Sequence, residues 1–114
     1  MCIRDRALYI KGLGYEYMGL TDHSQSAFYA NGLKPDRVLQ QMEAVDALNQ
    51  ELAPFKIFKG IESDIKYDGS LDYEEDVLKK FDFIIASVHA HLKMDKEKAT
   101  QRLLTAIELS LIHI

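Results

Sequence analysis

The sequence predicts an α/β fold built from three consecutive parallel βα units. Three short apolar segments alternate with segments that have helical periodicity. Each connection between apolar segments is long enough to hold a helix, which favours parallel strands joined by crossover helices. The strands are nearly continuous in apolar residues. This pattern is typical of a sheet covered on its faces or of the inside of a barrel.

The first half of the chain is predicted to hold the end of a helix, a strand and a long helix. Residues 7–14 end in glycine and are expected to form the last turns of a helix. Residues 15–21 (YEYMGLT) are short and apolar, and they predict a buried strand. Pro35 then occupies a first-turn position of a helix that ends at Leu52. Its apolar residues recur at steps of three and four: Val38, Leu39, Met42, Val45, Leu48 and Leu52.

The second half repeats the alternation of strand and helix. Residues 55–61 (FKIFKGI) and 81–88 (FDFIIASV) predict the second and third strands. Asp72 and Glu75 have the spacing of a capping box ahead of a short helix that ends near Lys80. Asp95 is expected to cap the last helix, which has an apolar face made of Ala99, Leu103, Ala106 and Ile107. The strand aromatics are expected to pack in the core: Tyr15, Tyr17, Phe55, Phe58, Phe81 and Phe83.

Composition narrows the class of protein. The chain has 114 residues and a formal net charge of -4, so it lacks the broad basic surface of a dedicated nucleic-acid coat protein. It has one cysteine, which excludes an internal disulfide scaffold. The sequence shows neither a long apolar run nor the ordered parts of a signal peptide, so a cytoplasmic protein is expected.

The two ends differ from the middle. Residues 1–6 (MCIRDR) and 109–114 (LSLIHI) can be back-translated into inverted copies of one nucleotide string, which resembles the mosaic end of a transposase-based sequencing adapter. We therefore expect residues 1–6 and 109–114 to be adapter-derived and residues 7–108 to be a partial domain. The alternative is a natural terminus with an apolar tail.

Each predicted strand ends at a potential metal ligand. His23, Glu62 and His89 follow the first, second and third strands. The carboxyl ends of parallel strands lie at one edge of a sheet, so these three side chains should converge. Two imidazoles and a carboxylate suit a divalent ion such as zinc or manganese, and a carboxylate can bridge two ions. Asp22 is expected to orient a ligand or to support one through a hydrogen bond.

Each of these residues also has a structural interpretation. A single histidine at the end of a strand is more often a hydrogen-bonded structural residue than a ligand. A single glutamate there can cap a helix or form an ion pair. The common topological position of all three residues is what favours a metal site.

Three stretches of the chain resemble the PHP domain, the polymerase and histidinol phosphatase superfamily. They are YEYMGLTDHSQSAFYANGL, FKIFKGIESDIKYDGSLDY and FDFIIASVHAHLKM, and they are most similar to the C-terminal PHP module of bacterial family-X DNA polymerases. The resemblance implies part of a distorted barrel of about seven βα units with two or three divalent metal ions, manganese or zinc, at its rim. It also implies that His23, Glu62 and His89 are metal ligands, with Glu62 at the position that bridges ions.

Other motifs of the resembled family fall outside this stretch. A His-x-His motif would be expected before Ala7, and further ligands, including an Asp-x-His pair, after Glu108. His89 and His91 form a local His-x-His, but it follows the third strand rather than the first. We therefore expect His91 to be a solvated loop residue; the alternative is a contact with a metal or phosphate.

The resemblance implies a metal-dependent phosphoesterase. In a family-X polymerase this activity is 3′–5′ exonuclease action at a DNA 3′ end, with a role in DNA repair. One alternative is a stand-alone phosphatase that acts on a small phosphate monoester such as histidinol phosphate. Another is a non-catalytic structural module of a polymerase. The oligomeric state is not predicted, and the 114-residue chain by itself is expected to be inactive.

Overall fold

The computed structural model describes residues 2–113, and the side chains of residues 2–109. Its helices are α1 (Ile3–Gly12), α2 (Pro35–Leu52), α3 (Glu75–Leu78) and α4 (Lys96–His113), with a 3-10 helix at Phe28–Ala30. Its strands are β1 (Tyr17–Leu20), β2 (Lys56–Asp64) and β3 (Phe83–Ser87). The mixed α/β class and the alternation of strands and helices are therefore as predicted.

The three strands form one parallel sheet in the order β1-β2-β3. Tyr17 pairs with Lys56 at the start of β1, and Gly60 pairs with Phe83 at the start of β3. Because β3 joins only at Gly60, the first part of β2 has a free edge. The side chain of Asn49 bonds to the backbone of Ile57 at this edge. The Asn49 Oδ1 accepts from the Ile57 N–H at 2.7 Å, and the Asn49 Nδ2 donates to the Ile57 carbonyl at 3.1 Å.

One face of the sheet carries the core. Side chains alternate along each strand, and those of Met18, Leu20, Ile57 and Ile61 are buried. They pack in two adjoining clusters with residues of all four helices, including Ala7, Val38, Val45, Val77 and Ala106. Burial of this apolar face supplies the main stabilising term of the fold.

The opposite face is open within the described residues. Tyr17, Phe58 and Ile85 on this face are 64%, 37% and 48% exposed. The ring of Phe83 lies across the strands, so that a Cβ at Gly60 would come within 2.3 Å of it. The described residues 2–113 form an open three-stranded sheet rather than a closed barrel. The predicted burial of the sheet on both sides is therefore observed on one side only.

The aromatic residues that were predicted to pack in the core differ in burial, because one face of the sheet is open. Phe55 and Phe81 are buried, as predicted. The prediction was wrong for Tyr15, Tyr17 and Phe58, because Tyr17 and Phe58 lie on the open face and Tyr15 precedes β1 at the edge of the sheet. Core packing therefore holds for Phe55 and Phe81, which lie in the connections before β2 and β3, whereas Phe83 lies on the open face and is only partly buried.

Strand and cap predictions also need correction. β2 continues to Asp64, so Glu62 lies inside the strand rather than after it. β1 and β3 are shorter than predicted and begin at Tyr17 and Phe83. Asp72 does not cap α3: Glu74 holds the N-cap position without a side-chain hydrogen bond, while Asp72 is buried and bonded elsewhere.

Helix boundaries are closer to expectation. α2 has exactly the predicted bounds, with Pro35 in its first turn, although Leu39 is partly exposed. Asp95 accepts a hydrogen bond from the Lys98 N–H at 2.8 Å, as a cap should. The predicted apolar face of α4 is partly wrong. Arg102 and Ala106 point into the fold, so Leu103 and Ile107, one position later, face outward.

The predicted adapter segments contribute to the two terminal helices. Residues 3–6 belong to α1, where Ile3 packs against the core, and residues 109–113 belong to α4. Met1 and Ile114 lie outside the described residues. The boundaries 1–6, 7–108 and 109–114 stay predictions. In the part of the chain that the structure describes, no helix combines the length and apolarity needed to cross a membrane.

Candidate metal centre

The ends of the three strands bring His23, Glu62 and His89 to one edge of the sheet. The chain after β1 stays beside β2, because the Ser24 N–H donates to the Glu62 carbonyl at 3.0 Å and the Glu62 N–H donates to the Asp22 carbonyl at 2.8 Å. This bridge places His23 directly beside Glu62. His89 follows the end of β3 by two residues.

The pleat of the sheet directs all three side chains to the open face. Glu62 pairs with Ile85, which is on the open face, and therefore points the same way. His89 is four residues after Ile85, and His23 lies opposite Glu62, so both keep this direction. The three side chains are partly exposed rather than buried in the core.

Glu62 lies between the two imidazoles. Its Oε1 is 3.1 Å from His89 Nε2, and its Oε2 is 3.8 Å from His23 Nε2. The potential ligand atoms of the three residues all lie within 4.8 Å of one another. The imidazole ring centroids are 5.8 Å apart. The two carboxylate oxygens thus face different imidazoles, an arrangement suited to one shared ion or to a carboxylate that bridges two ions.

Asp64 holds the ring of His89. Its Oδ1 is 2.6 Å from His89 Nδ1, which fixes the ring and leaves Nε2 directed at Glu62. The hydrogen bond to Asp64 is the largest cause that raises the pKa of His89 above its ordinary value of 6.5. Burial, the second-largest cause, opposes it, and the negative charges of Asp64 and Glu62 raise the pKa further. A carboxylate behind a histidine ligand is a common feature of metal sites, since it sets the tautomer and the basicity of the ring.

The other two residues considered from the sequence lie apart from this group. The Asp22 carboxylate accepts a hydrogen bond from Gln41 of α2 at 2.9 Å, so its link to the group runs through its backbone carbonyl. His91 is exposed, has a positive φ of 53°, and packs its ring edge-on against Tyr67. It also borders a small cavity of about 170 Å³ that Asp64 shares.

A buried carboxylate anchors the loop that carries His23. Asp72 is 1% exposed and accepts hydrogen bonds from the Ser24 hydroxyl at 2.6 Å, from the Ser26 N–H at 2.7 Å and from the Ser26 hydroxyl at 2.5 Å. The Ser24 hydroxyl also accepts from the Asp64 N–H at 3.0 Å. This network joins the loop after β1 to the end of β2 and so fixes His23 relative to Glu62.

A buried arginine joins the other two loops. Arg102 of α4 is 4% exposed, and its Nη2 donates to the carbonyls of Ile65 at 2.5 Å and Ala90 at 3.0 Å, the residues directly after Asp64 and His89. Its remaining donors reach the carbonyls of Lys66 and His91 and the sulfur of Met94. All five N–H groups are thereby used, so this guanidinium acts as a clamp between the two strand ends.

Sequence reasoning brought the three central residues together but missed their supports. Asp64 could have been found because it is two residues after Glu62 and so shares its face. Arg102 interrupts the apolar stripe between Ala99 and Ala106, and a charged residue at such a position is a signal of a buried, hydrogen-bonded side chain. The ring of Tyr29 also lies beside those of His23 and His89. No signal in the sequence indicated this contact, since it depends on the fold of a long loop.

Comparison with known proteins supports a relation to family-X polymerases. No protein-family model matches the chain. The chain is 48% identical over 94 residues to the DNA polymerase/3′-5′ exonuclease PolX of Bacillus subtilis (strain 168). The match covers 82% of this chain and 16% of that protein, so the chain spans about a sixth of the length of this relative. Identity of this level over most of the chain shows common descent with that part of the polymerase.

Proposed function

We propose that His23, Glu62 and His89 hold divalent metal ions. The observation that carries this proposal is the convergence of their ligand atoms within 4.8 Å at the carboxyl edge of a parallel sheet. The donor set of two imidazoles and one carboxylate fits manganese or zinc. The side chains are open to solvent on one side, which leaves room for further ligands and for a substrate.

We further propose that the segment belongs to a PHP domain and that it contributes to a metal-dependent phosphoesterase. The relative is a DNA polymerase/3′-5′ exonuclease, and this supports a 3′–5′ exonuclease module of a family-X polymerase. Action on a DNA 3′ end in repair is part of the same proposal. Divalent ions would supply the Lewis acidity that phosphate-ester hydrolysis needs. The chain's own residues would hold the ions and orient the ligands. One carboxylate oxygen of Glu62 faces each imidazole, and Asp64 fixes the ring of His89.

Two features favour this function over a structural module. The three strand-end residues with ligand chemistry are all present, and two buried polar groups, Asp72 and Arg102, are used to hold the loops that carry them. A domain with only a scaffolding role has no need to fix side chains at this edge. A small phosphate monoester stays the alternative substrate, favoured by the net charge of -4.

Isothermal titration of the chain with Mn²⁺ tests the metal site. We expect saturable binding that His23→Ala and His89→Ala abolish or weaken by at least about a hundredfold, since each removes a ligand. His91→Ala is the matched control, because it removes a nearby histidine outside the group, and it should leave the affinity unchanged. Equal binding by the wild type and both ligand variants would refute the site.

A substrate comparison tests the activity. A family-X polymerase that carries this segment should release nucleotides from a 3′-labelled DNA strand with Mn²⁺, and Glu62→Gln should abolish the release. The same preparation should hydrolyse a small aryl phosphate much more slowly. A preference for the small ester would support the phosphatase alternative instead. The 114-residue chain alone should show neither activity.

A further inference from the structure

A single aromatic side chain stands against both histidines of the candidate metal centre. The centroid of the Tyr29 ring lies 5.9 Å from that of His23 and 6.4 Å from that of His89, and the ring planes are T-shaped to each other at 68° and 74°. It nevertheless remains 72% exposed. A large aromatic ring that touches two potential ligands and leaves most of its surface in water is placed to contact whatever binds next to the ions.

Backbone hydrogen bonds hold the loop that carries Tyr29. Tyr29 belongs to the 3-10 helix, which is closed by backbone hydrogen bonds from Ala30 to Ala27 at 3.1 Å and from Gly32 to Ala27 at 3.0 Å. The Leu33 N–H donates to the His23 carbonyl at 3.0 Å, which ties the far end of the loop to the metal-ligand strand. A contact surface that is already ordered loses little conformational entropy when a ligand binds.

The proposed function identifies the ligand chemistry. In a 3′–5′ exonuclease the scissile phosphate must lie at the ions, and the base of the terminal nucleotide is then one sugar away. Aromatic side chains bind bases of single strands by stacking, and this contact tolerates any sequence because every base has a π-face. Stacking also suits an acidic chain, since it adds affinity without a basic surface.

Resting on that proposed function, we propose that Tyr29 is a stacking subsite for the terminal nucleobase of a DNA 3′ end. The ring, rather than the hydroxyl, makes the contact. Tyr29 therefore contributes to the preference for nucleotides over small phosphate esters, while His23, Glu62 and His89 take the phosphate side. Its loss should weaken binding of the base and leave the metal ions in place.

Binding of two oligonucleotides tests this subsite. Short fluorescein-labelled single strands, one with a normal 3′ nucleotide and one with a 3′ abasic residue, carry the same phosphates. In fluorescence anisotropy with Mn²⁺, the wild-type chain should bind the normal strand about fivefold more tightly, the lower end of the effect of one stacked base. Tyr29→Ala should bind both strands equally, at the weaker value.

Two variants make the test specific. Tyr29→Phe keeps the ring and should retain the wild-type difference between the strands. Tyr15→Ala removes a tyrosine that is 64% exposed before β1, at the opposite edge of the sheet, and should also retain it. The subsite is refuted if Tyr29→Phe behaves like Tyr29→Ala, if the wild type binds both strands alike, or if it binds neither.

Titration with Mn²⁺ alone separates this result from the proposed function. Tyr29→Ala should bind Mn²⁺ with the wild-type affinity. Normal Mn²⁺ binding without a difference between the strands would overturn the stacking subsite and leave the metal site standing. If the wild-type chain does not bind Mn²⁺, the proposed function itself is overturned.

Discussion

The two edges of the sheet are held by different kinds of interaction. At the edge where the strands begin, the connections 13–16, 53–55 and 79–82 are short and held largely by backbone hydrogen bonds, with help from Asn49. At the edge where they end, the connections 21–34, 65–74 and 88–95 are longer and depend on the buried polar side chains of Asp72 and Arg102. Burying such groups is costly unless every bond is satisfied.

This difference between the edges indicates at which of them the side chains must be held in fixed positions. Short loops need only to close, whereas the longer ones must place His23, Glu62 and His89 relative to one another. Side-chain networks that are fully hydrogen-bonded specify a single arrangement of the backbone around them. Variants at the two edges should therefore differ in what they affect: stability alone at the first edge, and both stability and metal affinity at the second.

The largest effect is expected from the buried carboxylate. Asp72→Ala leaves the Ser24 hydroxyl and the Ser26 N–H without their acceptor, and we expect the free energy of unfolding to fall by about 3 kcal/mol. Urea unfolding measures this. Asp76→Ala, which removes an exposed carboxylate in α3, is the control and should change stability by less than about 0.5 kcal/mol. Equal losses in the two variants would contradict the role assigned to the hydrogen bonds of Asp72.

The second-largest loss of stability is expected from a change at Arg102. Arg102→Lys keeps the charge but loses the fork that reaches Ile65 and Ala90, so we expect a loss of about 2 kcal/mol in stability. Weaker Mn²⁺ binding under conditions where the variant is fully folded would show that the clamp positions Asp64 and His89. Arg37→Lys, at an exposed position of α2, should change neither quantity. Unchanged Mn²⁺ affinity in folded Arg102→Lys would limit its role to stability.

Asp64→Asn should act on the metal site more than on the fold. Without the carboxylate behind its ring, His89 loses orientation and basicity, and Mn²⁺ should bind about tenfold more weakly at high pH. Asp68→Asn, in the exposed turn after β2, should bind Mn²⁺ like the wild type.

The same variant has a pH signature. Asp64→Asn removes the largest cause of the raised pKa of His89, so this pKa should fall in the metal-free chain, as followed by NMR of the imidazole. In the wild type, the raised pKa stabilises the fold fully below the ordinary histidine pKa, and this stabilisation is lost as pH rises through the raised value. An unchanged His89 titration in Asp64→Asn would contradict the assigned contact.

The smallest effect is expected at the first edge. Asn49→Ala removes the side chain that satisfies the backbone of Ile57, and we expect a stability loss of about 1 kcal/mol. Its Mn²⁺ affinity should equal that of the wild type. A change in Mn²⁺ affinity comparable with that of Asp64→Asn would show that the two edges are not separable.

Sequence periodicity predicted most of the fold for a physical reason. The α2 helix was predicted with its exact bounds because Pro35 and the three- and four-residue spacing of its apolar residues are local signals. The approach of His23, Glu62 and His89 followed from parallel topology alone. The exposure of Tyr17 and Phe58 did not, because it depends on which faces the helices cover.

Asp64 and Arg102 gave local signals in the sequence, but the bonding partners of the polar supports were beyond local patterns. Asp72 looked like a helix cap, since its spacing to Glu75 fits that role equally well, and only the folded loops show that it bonds to Ser24 and Ser26 instead. The contacts of Arg102 join residues from two other loops. Such networks are set by long-range packing, which one sequence does not encode in any short motif.

A crystal structure of the chain grown with Mn²⁺, with anomalous diffraction data, tests the central claim most directly. The account predicts an anomalous peak within coordination distance of His23 Nε2, a Glu62 carboxylate oxygen and His89 Nε2, with His89 Nδ1 still bonded to Asp64. A peak elsewhere, or none between the two imidazoles at saturating Mn²⁺, would contradict it.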